Sequence, residues 1–324
     1  MQFLWVFGTI SVIDLPALAA NYTVSPGNHR RKETTMDTIT ISTPVIAALL
    51  FSVAALVIAP LTALIVLCIK KKLSFIPVLV GAAAFAVSQV LLRLPIMQAL
   101  STQAWYQQFA AFSPVLYIIL IGGLSAGLFE ESARYVGGRF LLREDRSYWD
   151  AISFGLGHGI CEVLVLVGAN SVVILIYAIM INTGNFASVL EPLPQETQDL
   201  LLSQMSSIGV GDLLAGVLER VFAVTYHVFA TVLIFKGINE HKIRNYFYAI
   251  GAHTVLNTIT VLALQLSGNI WLCELAALTV AFPAFYYIVK IKTPYEESWQ
   301  KAKQEIDAKP RRRKRDDMPT RRLR

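Results

Sequence analysis

Charged side chains are scarce in this sequence: 15% of its 324 residues, against about 25% in soluble domains. Cysteine is scarcer still. Cys68, Cys161 and Cys273 all fall inside apolar runs, and no CxxC or Cys/His finger spacing occurs. That excludes a disulfide framework and a structural zinc finger. The HExxH helix signature of the zincins is missing as well, and no internal repeat is present. Basic residues are absent from the long stretch 182–211 and from the turn Ser267-Gly268-Asn269.

Apolar runs take the place of charge. Hydrophobic residues make up 55% of the sequence, and the mean hydropathy is +0.55. Runs of about 18 residues or more are long enough to span a bilayer. Seven are expected, at about 43–69, 74–92, 110–138, 150–181, 212–235, 245–266 and 270–290. The expected fold class is therefore an all-α, polytopic membrane helix bundle, a multi-pass protein of the cell membrane. Lys70–Lys72, Arg139, Arg143, Arg146, Lys236, Lys242, Arg244, Lys290 and Lys292 recur at alternate connections, and Arg93 alone stands on the other side. The positive-inside rule then puts the N-terminus outside and the C-terminus in the cytoplasm.

The two ends read differently. Residues 1–35 are expected to be either a signal peptide or sequence upstream of a true start at Met36. Residues 3–20 are apolar and end in small residues, but no positive region precedes them. Residues 36–292 form the helical bundle. Residues 293–324, with the run Arg311–Arg315, are expected to be a disordered cytoplasmic tail that meets anionic lipid. A charge run of this kind gives no reason to expect nucleic acid as a partner. In the 182–211 stretch a short amphipathic helix is expected over Glu196–Met205, with Leu200, Leu201 and Met205 able to face the membrane; a solvated connector is the alternative the composition favours.

Charges inside the spans are costly, about 2.5–3.5 kcal/mol each on insertion scales, and mark functional sites by default. Glu130 and Glu131 stand side by side in the third span, with Arg134 one turn on. His158 with Glu162, His227, and His253 with Asn257 lie in three other spans. Glu131 is eight residues before Arg139, His158 eight after Asp150, His227 nine before Lys236 and His253 nine after Arg244. At about 1.5 Å per residue all four lie roughly 12–14 Å inside the same charged boundary. The i,i+4 pairs His158/Glu162 and His253/Asn257 each share a helix face. Gly155, Gly157 and Gly159 around His158 permit close approach of a neighbouring helix.

Two chemistries fit this set. A glutamate beside a histidine can act as general base on water, with His253 and Asn257 donating to a developing oxyanion. Alternatively His158, Glu162, His227 and His253 can ligate a catalytic zinc ion. Either amounts to peptide or amide hydrolysis, on a peptide or membrane-anchored protein substrate. Other classes remain open. The same groups could form the proton relay or substrate site of a transporter. Gly123-Leu-Ser125-Ala-Gly127 fits GxSxG and suggests a rhomboid-like pair of Ser125 with His253, although Ser125 sits mid-helix rather than on a nucleophile elbow. The blandest alternatives are an interfacial salt-bridge cluster at Glu130, Glu131 and Arg134, and a helix-packing pair at His158 and Glu162.

Glu130-Glu131-Ser-Ala-Arg134, Phe154-Gly-Leu-Gly-His158 and His253-Thr-Val-Leu-Asn257 resemble, in order, the EExxR, FxxxH and HxxxN elements of the CAAX prenyl protease and bacteriocin-processing superfamily, to which the PrsW-like proteases are related. With Gly157-His158-Gly159-Ile-Cys-Glu162, the sequence from about Met36 looks most like the YhfC family of intramembrane metalloproteases. The resemblance implies water activation by Glu130 or Glu131 with His158, and oxyanion stabilisation by His253 with Asn257. Prenyl proteases usually have EExxxR. The shorter spacing to Arg134 leaves both glutamates as candidates for the base.

Overall fold

In hydrocarbon every backbone polar group must be satisfied within the protein, and a helix does so within one segment. A computed structural model describes residues 39–308, and they are helices joined by short turns and loops, with no strand among them. Both readings of residues 1–35, and the Arg311–Arg315 run, lie outside the described residues. Seven helices are long and apolar enough to cross a membrane: α1 (Thr43–Ile69), α2 (Phe75–Ser101), α3 (Pro114–Leu141), α4 (Tyr148–Asn182), α5 (Val210–Asn239), α6 (Arg244–Ser267) and α7 (Ile270–Ala308). Their number and order are those expected from the sequence.

Local chemistry explains the boundaries. At the start of α4, Ser147 accepts from the backbone N–H of Asp150 while the Asp150 carboxylate accepts from that of Ser147, a reciprocal cap. Gly268, at φ +63°, closes α6 in the left-handed conformation that a glycine adopts without strain. Four of the spans contain wider π-helical stretches: Ala54–Ile58, Ala86–Arg93, Ile118–Leu124 with Gly137–Leu141, and Val163–Gly168. Such stretches often mark functional positions.

Two expectations need correction. The tail is not irregular from residue 293, because α7 continues to Ala308. Tyr295, Trp299 and Ala302 repeat at helical spacing and are buried, with Tyr295 donating to the Arg146 carbonyl at 3.1 Å and the Arg146 guanidinium over the Trp299 ring. His241 also meets Glu305 there, at 3.0 Å. The short helix in the 182–211 stretch exists, as Gln195–Ser207, but Met205 does not face outward. Met205 and Leu202 are buried in an apolar cluster with α1 and the second half of α4, while Leu200 is exposed.

The first half of α4 packs closely on the first half of α2, and also on α5; α5 packs on α7, and α6 on both α3 and α7. The approach of α4 to α2 depends on Gly157: a Cβ there would lie 2.1 Å from the Val78 carbonyl oxygen. On the other side of α4, a Cβ on Gly155 would lie 2.6 Å from the Val228 Cα of α5. Glycine thus lets α4 sit between α2 and α5 and carries His158 into the middle of the bundle.

Candidate active site

The polar residues expected at one level do meet. Glu130, Glu131, Arg134, His158, Glu162, His227 and His253 are all buried. Glu130 stands at the centre. Its Oε2 is 3.1 Å from His158 Nε2 and 3.8 Å from His227 Nδ1, and its Oε1 is 3.8 Å from His253 Nε2. Gln89 of α2 donates its side-chain amide to Glu130 Oε1. Four spans other than its own therefore surround this carboxylate.

Glu131 points elsewhere. Its Oε2 pairs with Arg134 Nε at 2.9 Å and its Oε1 accepts from His253 Nδ1 at 2.9 Å. Arg134 in turn donates to the His227 carbonyl (2.8 Å), Thr231 Oγ1 (2.7 Å) and His227 Nδ1 (3.1 Å). Neither Glu131 nor Arg134 has any exposure. A carboxylate paired with arginine only accepts, so His253 carries its proton on Nδ1 and turns Nε2 toward Glu130.

Of the same-helix pairs that the spacing allows, the structure makes only some. Arg134 bonds Glu131 at i,i+3 and not Glu130 at i,i+4. Glu162 accepts from His227 Nε2 at 2.6 Å and from Arg220 Nη1 at 2.9 Å, and makes no hydrogen bond with His158. Asn257 reaches the Gly122 carbonyl at 3.4 Å and borders the same cavity as Glu130 and His253. Glu219 extends this buried network, 2.5 Å from Arg220 Nη2.

Ser125 is separate from this set. Its hydroxyl donates to the Ile121 carbonyl at 2.5 Å and accepts from Arg93 Nε at 2.9 Å. Among the described residues it makes no hydrogen bond with His253, the contact a serine–histidine mechanism needs.

For a metal, the compact donor group is Glu130, His158 and His227, whose ligand atoms all lie within 4.8 Å of one another. Two of the four ligands expected from sequence, His158 and His227, belong to it. Glu162 instead holds the other ring nitrogen of His227, the position of an orienting partner. Two histidines and a glutamate are a donor set known for catalytic zinc. The residues fit such an ion in identity and spacing. His158 Nδ1 is buried without a hydrogen-bond partner.

Sequence reasoning missed Gln89 and Arg93. They lie at i,i+4 on α2, and Arg93 reads as a boundary charge because an apolar run stops there. In the fold α2 continues to Ser101, and both residues line the cavity in front of Glu130. An i,i+4 polar pair in an apolar run was the available signal.

Three comparisons bear on the protein. A family described as YhfC intramembrane metalloprotease matches residues 53–277. The sequence is 26% identical over 185 residues to the "Uncharacterized membrane protein YhfC" of Bacillus subtilis (strain 168), covering 56% of this protein and 71% of that one. No solved structure matches.

Proposed function

The chain belongs to the YhfC intramembrane metalloprotease family, and we propose that this multi-pass membrane protein hydrolyses a peptide bond in the cavity facing Glu130. The observation that carries this reading is the convergence of Glu130, His158 and His227 from three spans at ligand spacing, with the Glu131–His253 pair beside them.

Glu130, His158 and His227 would hold a divalent cation such as zinc. When bound, it supplies a Lewis acid that polarises a carbonyl and makes water nucleophilic at neutral pH. Glu162 orients His227 through Nε2. Glu131, anchored by Arg134, keeps the His253 proton on Nδ1 and leaves Nε2 to take a proton from the attacking water and return it to the departing amine. Asn257, on the cavity wall, is the side-chain amide available to a developing oxyanion. Kinship with the prenyl-protease superfamily rests on the three short motifs and belongs to this proposal.

A second reading is favoured by one contact. Both ring nitrogens of His227 already have partners, Arg134 and Glu162. Without a metal, Glu130 is the general base and His158 its hydrogen-bonding partner. The experiment uses the full-length protein in proteoliposomes with a mixture of synthetic membrane-spanning peptides, read by mass spectrometry, alongside metal analysis of the purified protein. Fragments made by the wild type and absent with Glu130→Gln are expected. A stoichiometric metal lost in His158→Ala and His227→Ala supports the first reading; fragments without metal support the second. No fragments, with proton-coupled uptake lost in Glu130→Gln, would transfer the site to a transporter.

A further inference from the structure

The cavity in front of Glu130 holds a cation that the proposed chemistry does not use. Arg93 lies on α2 one turn beyond Gln89, and both line the cavity. Three acceptors reach its guanidinium: Ser125 Oγ on Nε at 2.9 Å, Gln89 Oε1 on Nη1 at 3.2 Å and the Ile121 carbonyl on Nη2 at 2.9 Å. All three are neutral. A guanidinium has five N–H donors, so two find no acceptor among the described residues. The neighbouring arginines differ. Arg134 is paired with Glu131, and Arg220 with Glu162 and Glu219. Among the described residues no carboxylate lies within 4 Å of Arg93.

The surroundings define what would satisfy it. Leu94, Met97, Ile118, Leu264 and Ile270 line the cavity with Arg93. The space accepts an apolar segment, and of its two arginines Arg220 is held by Glu162 and Glu219 while Arg93 has no carboxylate partner among the described residues. Gln89 bridges the two ends, its carbonyl oxygen accepting from Arg93 and its amide donating to Glu130. Along α2 Gln89 and Arg93 are one turn apart, about 5.4 Å, between the rise of one extended residue, about 3.3 Å, and that of two, about 6.6 Å. A lipid phosphate is the poorer match. Arg93 stands eight residues before Ser101, the end of the span, about 12 Å from it along the axis, whereas headgroups lie at the interface.

We infer that Arg93 is the specificity-determining residue of this cavity, and that it selects a peptide bearing a carboxylate about one to two residues from the bond at Glu130. The carboxylate can come from the free C-terminus of the peptide or from an acidic side chain. The inference rests on the peptidase reading for the identity of the ligand, and its test reads binding so that the two can fail separately.

The test uses the full-length Glu130→Gln protein in phosphatidylcholine nanodiscs and three dansylated probes read by fluorescence: Leu-Val-Leu-Leu as the free acid, the same peptide as its C-terminal amide, and the amide of Leu-Val-Asp-Leu. At least one anionic probe is expected to bind about tenfold more tightly than the neutral amide, the order of one charge-assisted contact. Which one it is identifies the source of the carboxylate. Adding Arg93→Gln should abolish the preference while leaving the affinity of the neutral amide within about twofold. Arg93→Lys, which keeps the charge and loses the clamp on Ser125 and Ile121, should retain it. Equal affinities for all three probes, or no binding of either anionic probe, would overturn the inference. So would loss of the preference in Arg93→Lys, which makes the residue a helix clamp, or its disappearance when phosphatidylglycerol replaces phosphatidylcholine, which makes a lipid the occupant. A preference that depends on Arg93, in a wild-type protein that hydrolyses no membrane peptide, would overturn the peptidase reading and leave a carboxylate-binding site. Hydrolysis with no preference would do the reverse.

Discussion

Glu131 and His253, 122 residues apart in sequence, meet at 2.9 Å through the His253 Nδ1 proton. The contact divides the adjacent glutamates between two jobs. Glu131 is enclosed by Arg134 and His253, and Glu130 alone of the two lines the cavity.

Activity should follow that division. Glu130→Gln is expected to lower peptide hydrolysis at least about 10²-fold, the scale of losing a positioned proton-transfer or ligand group. Its unfolding transition should stay near that of the wild type. The check pairs fragment yield by mass spectrometry with thermal unfolding. Normal cleavage by this variant would remove Glu130 from the site.

Stability should respond at Arg134. The guanidinium is fully buried and bonds Glu131, Thr231 and His227. Replacing it by Met leaves the Glu131 carboxylate buried without its cation, and breaking such a pair costs about 3–5 kcal/mol. Reversible unfolding in mixed detergent micelles measures the loss. A change below about 1 kcal/mol, the size of an exposed ion pair, would contradict the geometry.

Metal content separates the two forms of the mechanism. His158→Ala and His227→Ala should each lower bound divalent metal from about one per protein molecule toward zero, because a catalytic ion has only three protein ligands to lose. Inductively coupled plasma mass spectrometry on purified protein measures it. His241→Ala, an exposed histidine paired with Glu305, should leave metal content unchanged.

Gly157 tests how His158 is delivered. A methyl group there would meet the Val78 backbone carbonyl at 2.1 Å, where no side chain can swing away, so α2 and α4 must separate. Gly157→Ala is expected to cost about 1–3 kcal/mol, as overpacking does, and to lower activity by shifting His158. Gly251→Ala, where nothing lies within 4 Å, is the control expected to change neither.

The end of α7 provides the last test. Trp299 is buried against Arg146, and Trp299→Ala should destabilise the protein by about 3–5 kcal/mol. Deleting 309–324 should not have that effect. Equal unfolding midpoints for Trp299→Ala and wild type would return residues 293–308 to a loosely held tail.

How much was legible in the sequence differs from residue to residue. The common depth of Glu131, His158, His227 and His253 could be counted from charged boundaries, because a helix advances by a constant rise per residue. The end of α7 was not legible in the same way. Its mixed polar composition hides Tyr295, Trp299 and Ala302, whose burial depends on the loop around Arg146. Arg93 was read as an edge for the opposite reason: a single charge halted an apolar run that in fact continues to Ser101.

The sequence by itself determined the seven spans, their order and the level at which the titratable groups lie, because hydropathy and helical rise are local properties. Only the tertiary structure decided who partners whom. Glu162 serves His227 and Arg220 rather than His158, Arg134 takes Glu131 rather than Glu130, and Gln89 enters from α2. Those choices depend on how each helix is rotated and how near it comes to the next. For α4, close contacts at Gly155 with α5 and at Gly157 with α2 set the approach, and the sequence of one helix does not carry that information.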